Sequence, residues 1–261
     1  MGLRPTLTVV LLLPGLAACD LITGSGEALV VSTADTASVP SASRAAYLDD
    51  AARLALRYAR QAGDPAQDSV EIPADLVRTL YRALVFVYNA TRLPARDMVV
   101  AYDIHTWPQP EVRGVTVVLD PNRPWVQVLL RGERRSGNPD IDRLMETYAL
   151  ELASGVEGSP SIGWWIVLRS RRPLNAAALS RRFAGIDGVA FAYTPGTIGS
   201  GNDITATRER EAWQLEYSVG FGDCPAGCIG RHFWTFLVYA DGRVVSLRDR
   251  GDPLPPPGRR P

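Results

Sequence analysis

Cys224, Cys228 and His232 follow one another at four-residue spacing, with Asp223 beside the first, in the segment GFGDCPAGCIGRHFW. Thiolate, imidazole and carboxylate together are ligand types that suit zinc or copper. A helix would bring that spacing onto one face, but Pro225, Gly227 and Gly230 interrupt any continuous helix, and the usual CxxC knuckle is absent. A redox pair is the second option; there the CxxC spacing at a helix start is replaced by CxxxC after a strand. The third option, adopted here, is a structural disulfide between Cys224 and Cys228. A three-residue loop, Pro225-Ala226-Gly227, can bring the two Cα atoms into bridging range. So short a loop contributes only about 2 kcal/mol in the chain-entropy account. Its main effect is to fix a tight turn ahead of a strand at 232–239.

Other chemistry-bearing residues are few. The second histidine, His105, lies in the extended stretch IHTWPQP, where Asp103 or Asp120 could partner it. A loop histidine without a catalytic role is the commoner reading. Asn202 and Asp203 offer too few oxygens for calcium, so the loop around them reads as a turn. All 28 basic residues are arginine. A P-loop lysine, a Schiff-base lysine and a Ser-Lys dyad are therefore excluded. Two histidines exclude a three-histidine zinc site and an HExxH helix. GxSxG and GxGxxG are also missing. No residue is assigned a catalytic or metal-binding role, and no cofactor is implied. The 28 acidic residues balance the arginines, so no overall field attracts nucleic acid.

The chain opens MGLRPTLTVVLLLPGLAAC. A positive start, an apolar run far below the ~20 residues of a bilayer span, and small residues make an export signal. The stretch Leu16-Ala17-Ala18-Cys19 resembles the lipobox of bacterial lipoproteins. That resemblance implies removal of residues 1–18 and acylation of Cys19, which would anchor the protein stably in a membrane. It implies a place in the bacterial cell envelope, facing the periplasm or the exterior. With Cys19 acylated, Cys224 and Cys228 are left as an even pair in an oxidising compartment, which favours the bridge.

Residues 19–43 read as the lipidated cysteine and a flexible Gly/Ser/Thr/Ala spacer, with a short strand at 28–32 as the alternative. A globular body follows over 44–252. The Pro-rich stretch 253–261 reads as a disordered tail. At the head of the body, Ser43 can cap a helix carrying Tyr47, Leu48, Ala51, Leu54, Ala55 and Tyr58 at helical spacing. A second helix starts at Pro73. The period then changes, and 113–120 and 125–131 read as a hairpin across DPNRP. Helix is expected over 139–153, capped by Asn138. A strand at 164–168, a helix from Asn175 to Phe183 and a strand at 188–193 follow. Strands at 215–221, 232–239 and 243–247 complete the chain, the last two joined by an Asp241-Gly242 turn. Both faces of 232–239 are largely apolar, which suggests a strand covered on both sides. The expected class is α+β: N-terminal helices, then a mixed, mostly antiparallel sheet with helices on one face.

The strand-helix-strand unit WIVLRS, NAAALSRRFAGI, GVAFAYT resembles half of the βαββαβ pro-segment of subtilisin-like proteases, which inhibits its enzyme. The GDCPAGC…RHFW text, with GTIGSGNDI before it, resembles segments of uncharacterised bacterial envelope proteins and supplies no activity. The functional expectation is a lipid-anchored, non-enzymatic binding or structural module with an envelope protein as partner. Two rivals stand beside it: a metal- or thiol-dependent enzyme at Cys224, Cys228 and His232, and a protease-inhibitor-like module.

Overall fold

The computed structural model describes residues 31–33, 39–133, 135–156 and 163–255. Cys19, the leader 1–18 and the end of the tail lie outside the described residues. The fold is α+β, built as two antiparallel sheets rather than one. A short strand β1 (Val31–Thr33) falls inside the stretch read as a spacer. Three helices follow: α1 (Ser41–Gln61), α2 (Ala74–Asn89) and α3 (Pro94–Ala101). The start of α1 is not capped by Ser43. The Pro40 carbonyl accepts from the amides of Ser43 and Arg44 instead, so the helix begins two residues early. Helix α3 has proline at its first position, a signal the sequence reading passed over.

Next come β2 (Gly114–Leu119), α4 (Pro124–Leu130), α5 (Pro139–Thr147), β3 (Leu150–Val156), β4 (Trp164–Ser170), α6 (Ala176–Arg182) and β5 (Val189–Tyr193). Two expectations fail here. The segment 125–131 is a helix and not a hairpin arm, because its buried residues Val126 and Leu129 are three apart and Pro124 presets the first turn. The helix expected over 139–153 stops at Thr147. Ala149 turns left-handed (φ 49°), and Leu150 pairs with Ser170 in a strand. Asn138 and Asn175 cap α5 and α6 through their side-chain oxygens, as expected.

These elements form a β-α-β-β-α-β unit with strand order β3-β4-β2-β5, all neighbours antiparallel. That is the split arrangement in which the hairpin strand β4 lies between β3 and β2. Register assigns the faces. Val115, Val117, Ile166, Leu168, Leu152 and Ala192 point to α4, α5 and α6 and build one core with Phe183 and Leu179. Trp165, Val118 and Phe191 form a row on the other face, and Val167, Thr116 and Tyr193 form the next.

The remaining strands, β6 (Asp203–Glu209), β7 (Ala212–Phe221), β8 (Gly230–Tyr239) and β9 (Arg243–Gly251), form the second sheet, ordered β1-β9-β8-β7-β6. Its inner face presents Trp213, Leu215, Tyr217, Trp234, Phe236 and Val238 to α1–α3, with Leu54, Leu80 and Leu84 opposite. Each fully buried side chain of this size contributes roughly 1.5–3 kcal/mol of transfer free energy. Strand β8 is central, and its other face is buried in part, at Thr235 and at Val245 opposite Leu237. On its other face Phe233 lies under the Arg250 guanidinium (4.0 Å), and Arg250 pairs with Glu216 at 2.8 Å. A guanidinium over a ring replaces the apolar layer that the sequence suggested. The first tail residues are packed as well: Leu254 lies against the core of this lobe, and the Tyr102 hydroxyl donates to the Pro255 carbonyl.

Candidate functional site

Strand β7 ends at Phe221 and β8 starts at Gly230, so the turn between them carries the cysteines. Their sulfurs stand at bonding distance, 2.24 Å, across a one-turn 3-10 segment. A pair bonded in this way offers no free thiolate as ligand or nucleophile. His232 turns away from them. Its Nδ1 meets the Asp252 carbonyl at 2.9 Å, and its ring lies 4.7 Å from that of Trp234. Among the described residues no three histidines, cysteines or carboxylates group as metal ligands.

A second loop braces this turn. The Ser200 amide donates to the Cys224 carbonyl at 2.9 Å. Arg231 donates to the hydroxyls of Ser200 (2.6 Å) and Ser218 (2.9 Å). Gly199 is left-handed (φ 89°), and a Cβ there would sit 2.6 Å from the Cys224 oxygen, so only glycine permits the approach. On these two braced loops stand Ile198, 91% exposed, and Ile229, 83% exposed.

His105 pairs with neither of its expected partners alone. Its Nδ1 lies 2.6 Å from Asp50 on α1, a carboxylate only 1% exposed, and its Nε2 lies 3.4 Å from Asp103. Asp120 is elsewhere, 3.5 Å from Arg123. The hydrogen bond to Asp50 raises the His105 pKa above its ordinary value, with both carboxylates adding attraction and burial opposing. Asp50 also accepts from the Thr106 amide (2.9 Å) and hydroxyl (2.6 Å). Burial, then the Asp50 charge, pushes the neighbouring Tyr47 phenol far up. With a carboxylate at each ring nitrogen, His105 ties α1 to the segment after α3.

Asn202 and Asp203 are also committed. Asp203 Oδ1 accepts from Arg57 (2.8 Å) and the Trp107 amide (2.7 Å), and Asn202 Oδ1 accepts from the Gly220 amide. Their oxygens close backbone turns and an ion pair, and the loop is a turn.

Two of the clefts among the described residues border the cores. One of 770 Å³ lies beside α5 and β3, where Arg171 pairs with Glu151 at 2.7 Å and four carboxylates face two arginines. The other, of 140 Å³, lies between α2 and β7–β8, with Arg82 over Phe86 and Arg208 over Trp213.

The remaining feature is the aromatic edge of the four-stranded sheet at β5; inward of it on the same face Val118 and Thr116 are buried. Phe191 is 55% exposed and Tyr193 42%, with ring centroids 5.9 Å apart on the edge strand β5. Trp165 and Val167 continue the two rows inward across β4 and β2. Sequence reading placed this strand but missed its outward face. The signal was available in VAFAY, whose small alanine at 192 faces the helices while Phe191 and Tyr193 take the other side. Asp50 was missed because it sits on the buried stripe of a helix, where a carboxylate is the exception. No family model, curated protein or solved structure matches the chain.

Proposed function

We propose that the protein is a lipid-anchored component of the bacterial cell envelope, and that its folded body is a non-enzymatic module binding an envelope protein partner through the exposed aromatic edge of the four-stranded sheet. The lipobox-like Leu16-Ala17-Ala18-Cys19 supports the address. The observation that carries the binding role is the exposed Phe191–Tyr193 pair. Large exposed aromatics cost solubility and are enriched where surfaces meet a partner. The test joins intact mass and a site-specific crosslink. Purified protein should lack residues 1–18 and carry acyl mass. A photoreactive group at position 193 should crosslink one defined envelope protein in cells, and the same group at exposed Glu209, on the other sheet, should not. An unprocessed, unacylated chain removes the address. Identical crosslinks from both positions remove the edge as the binding site.

The strand order β3-β4-β2-β5 favours one rival specifically. The β-α-β-β-α-β unit that the sequence offered only in half is complete, and it resembles the subtilisin pro-segment more fully than the sequence did. On that reading the partner is a subtilisin-like protease. Inhibition of such a protease by the purified body, lost in Phe191→Ala/Tyr193→Ala, would select it. Indifference of the protease to the body would dismiss it.

A further inference from the structure

Strand β1 runs antiparallel to β9, with Val31 opposite Val245 and Thr33 opposite Arg243. From Thr33 to Val31 the strand runs along β9 in the direction of Gly251. Gly251 pairs with His232, at the end of the sheet where the bridged turn and the loop 194–202 lie. Six residues of β9 separate Val245 from Gly251, roughly 20 Å at ~3.3 Å per residue. Twelve residues separate Cys19 from Val31, a span of at most ~40 Å when fully extended. A span of that length lets an acyl chain on Cys19 enter a lipid surface on which the bridged end of the sheet rests.

Two of the segments at that end suit a lipid surface, while the end of β9 beside them carries Arg250 and Asp252. The loops TPGTIGSGN and GDCPAGCIG contain one charged side chain, Asp223. The described residues hold four exposed large apolar side chains, and two of them, Ile198 and Ile229, stand on these loops. The disulfide and the Ser200–Cys224 bond hold both loops in place, so presenting the isoleucines costs little further ordering. The opposite end of the sheet is different in kind. Its turns carry Glu209, Arg210, Glu211, Asp241 and Arg243, all exposed.

We infer that the bridged end of the five-stranded sheet rests on the lipid surface, with Ile198 and Ile229 dipping into the interfacial region and the charged turns directed away. The inference rests on the acylated Cys19 of the proposed function and adds the orientation of the body. Two apolar side chains on rigid loops supplement the lipid anchor in the way a second membrane signal does. The isoleucines in GTIGSG and GCIG then have a use that turn chemistry alone does not give them.

The test uses the full, processed protein in vesicles of phosphatidylcholine, with or without lipids brominated near the headgroup. A small fluorescent amino acid is placed in turn at 198, 229 and 241, all exposed positions that tolerate it. Brominated lipid should quench the probes at 198 and 229 at least about threefold more than the probe at 241. Intact mass on the same samples reports acylation. Acyl mass with equal quenching at all three positions, or with none at 198 and 229, overturns the orientation and leaves the anchor standing. Absence of acyl mass overturns the anchor and this inference with it.

Discussion

Asp50 is the residue whose loss should be felt most for its size. It is almost fully buried and accepts from Thr106 twice and from His105 once. Removing one partner of a fully buried pair typically costs about 3–5 kcal/mol, and less here because His105 is part-exposed and keeps Asp103. Asp50→Asn should lower stability by about 2 kcal/mol in urea denaturation, since the amide keeps one oxygen for Thr106. The pH dependence has a definite sign. Folding raises the His105 pKa above about 6.5, so the folded state binds this proton more tightly than the unfolded chain does. The stabilisation is complete below the unfolded pKa and fades as pH rises through the folded one. The stability difference between the native protein and His105→Gln should therefore shrink from pH 6 to pH 9. A difference that stayed constant would mean that His105 packs there as a neutral ring.

Elements show where local pattern suffices and where it does not. Asn138 and Asn175 were legible as caps because capping is a contact within three residues. The β7–β8–β9 meander was legible in outline from turn residues and alternation. The helix α4 was misread because Trp125, Val126 and Val128 have strand-like side chains, and the decision came from Pro124 and from packing against the sheet. Neither the division into two sheets nor the strand order is written locally, since both depend on pairings such as Leu119 with Trp164 and Thr116 with Tyr193. In the candidate site, Cys224 and Cys228 were legible by parity, but the brace from Ser200 was not. That brace tempers the prediction for the bridge. Cys224→Ser/Cys228→Ser should cost about 2 kcal/mol, a fall in Tm of roughly 4–8 °C for a body of this size. Amide exchange should quicken at 222–230 and leave the core of β7 and β8 unchanged. An unaltered Tm would mean that the contact with 196–200 already holds the turn.

Across the whole molecule the two lobes have separate cores, joined on one side by Val70 and its neighbours, which pack and hydrogen-bond against Asn175, and by the Arg113–Asp49 pair. Ala52 and Leu56 of α1 pack on Val112, just ahead of β2. Beside them Arg57 acts as a clamp. Its guanidinium donates to the carbonyls of Trp107, Gln109 and Ile204 and to Asp203 Oδ1, at 2.6–3.1 Å. One side chain thus ties α1, the segment leading to the four-stranded sheet, and the first strand of the five-stranded sheet. Such a fork cannot be copied by lysine, which offers a point charge on a flexible stem. Arg57→Ala should lower stability by about 2–3 kcal/mol, below the cost of a fully buried pair because Arg57 and Asp203 keep some contact with water. Arg57→Lys should recover less than half of the loss. The loss should also be unevenly placed. Amide exchange should accelerate at Trp107 and along β6, where the freed carboxylate and carbonyls lose their donor, while Val117 and Phe236 at the centres of the two sheets remain protected to the same degree as one another. Equal acceleration everywhere would mean that the lobes unfold as one body without this clamp, and that the packing of Ala52, Leu56 and Val112 with the contacts of Val70 and Asn175 is join enough.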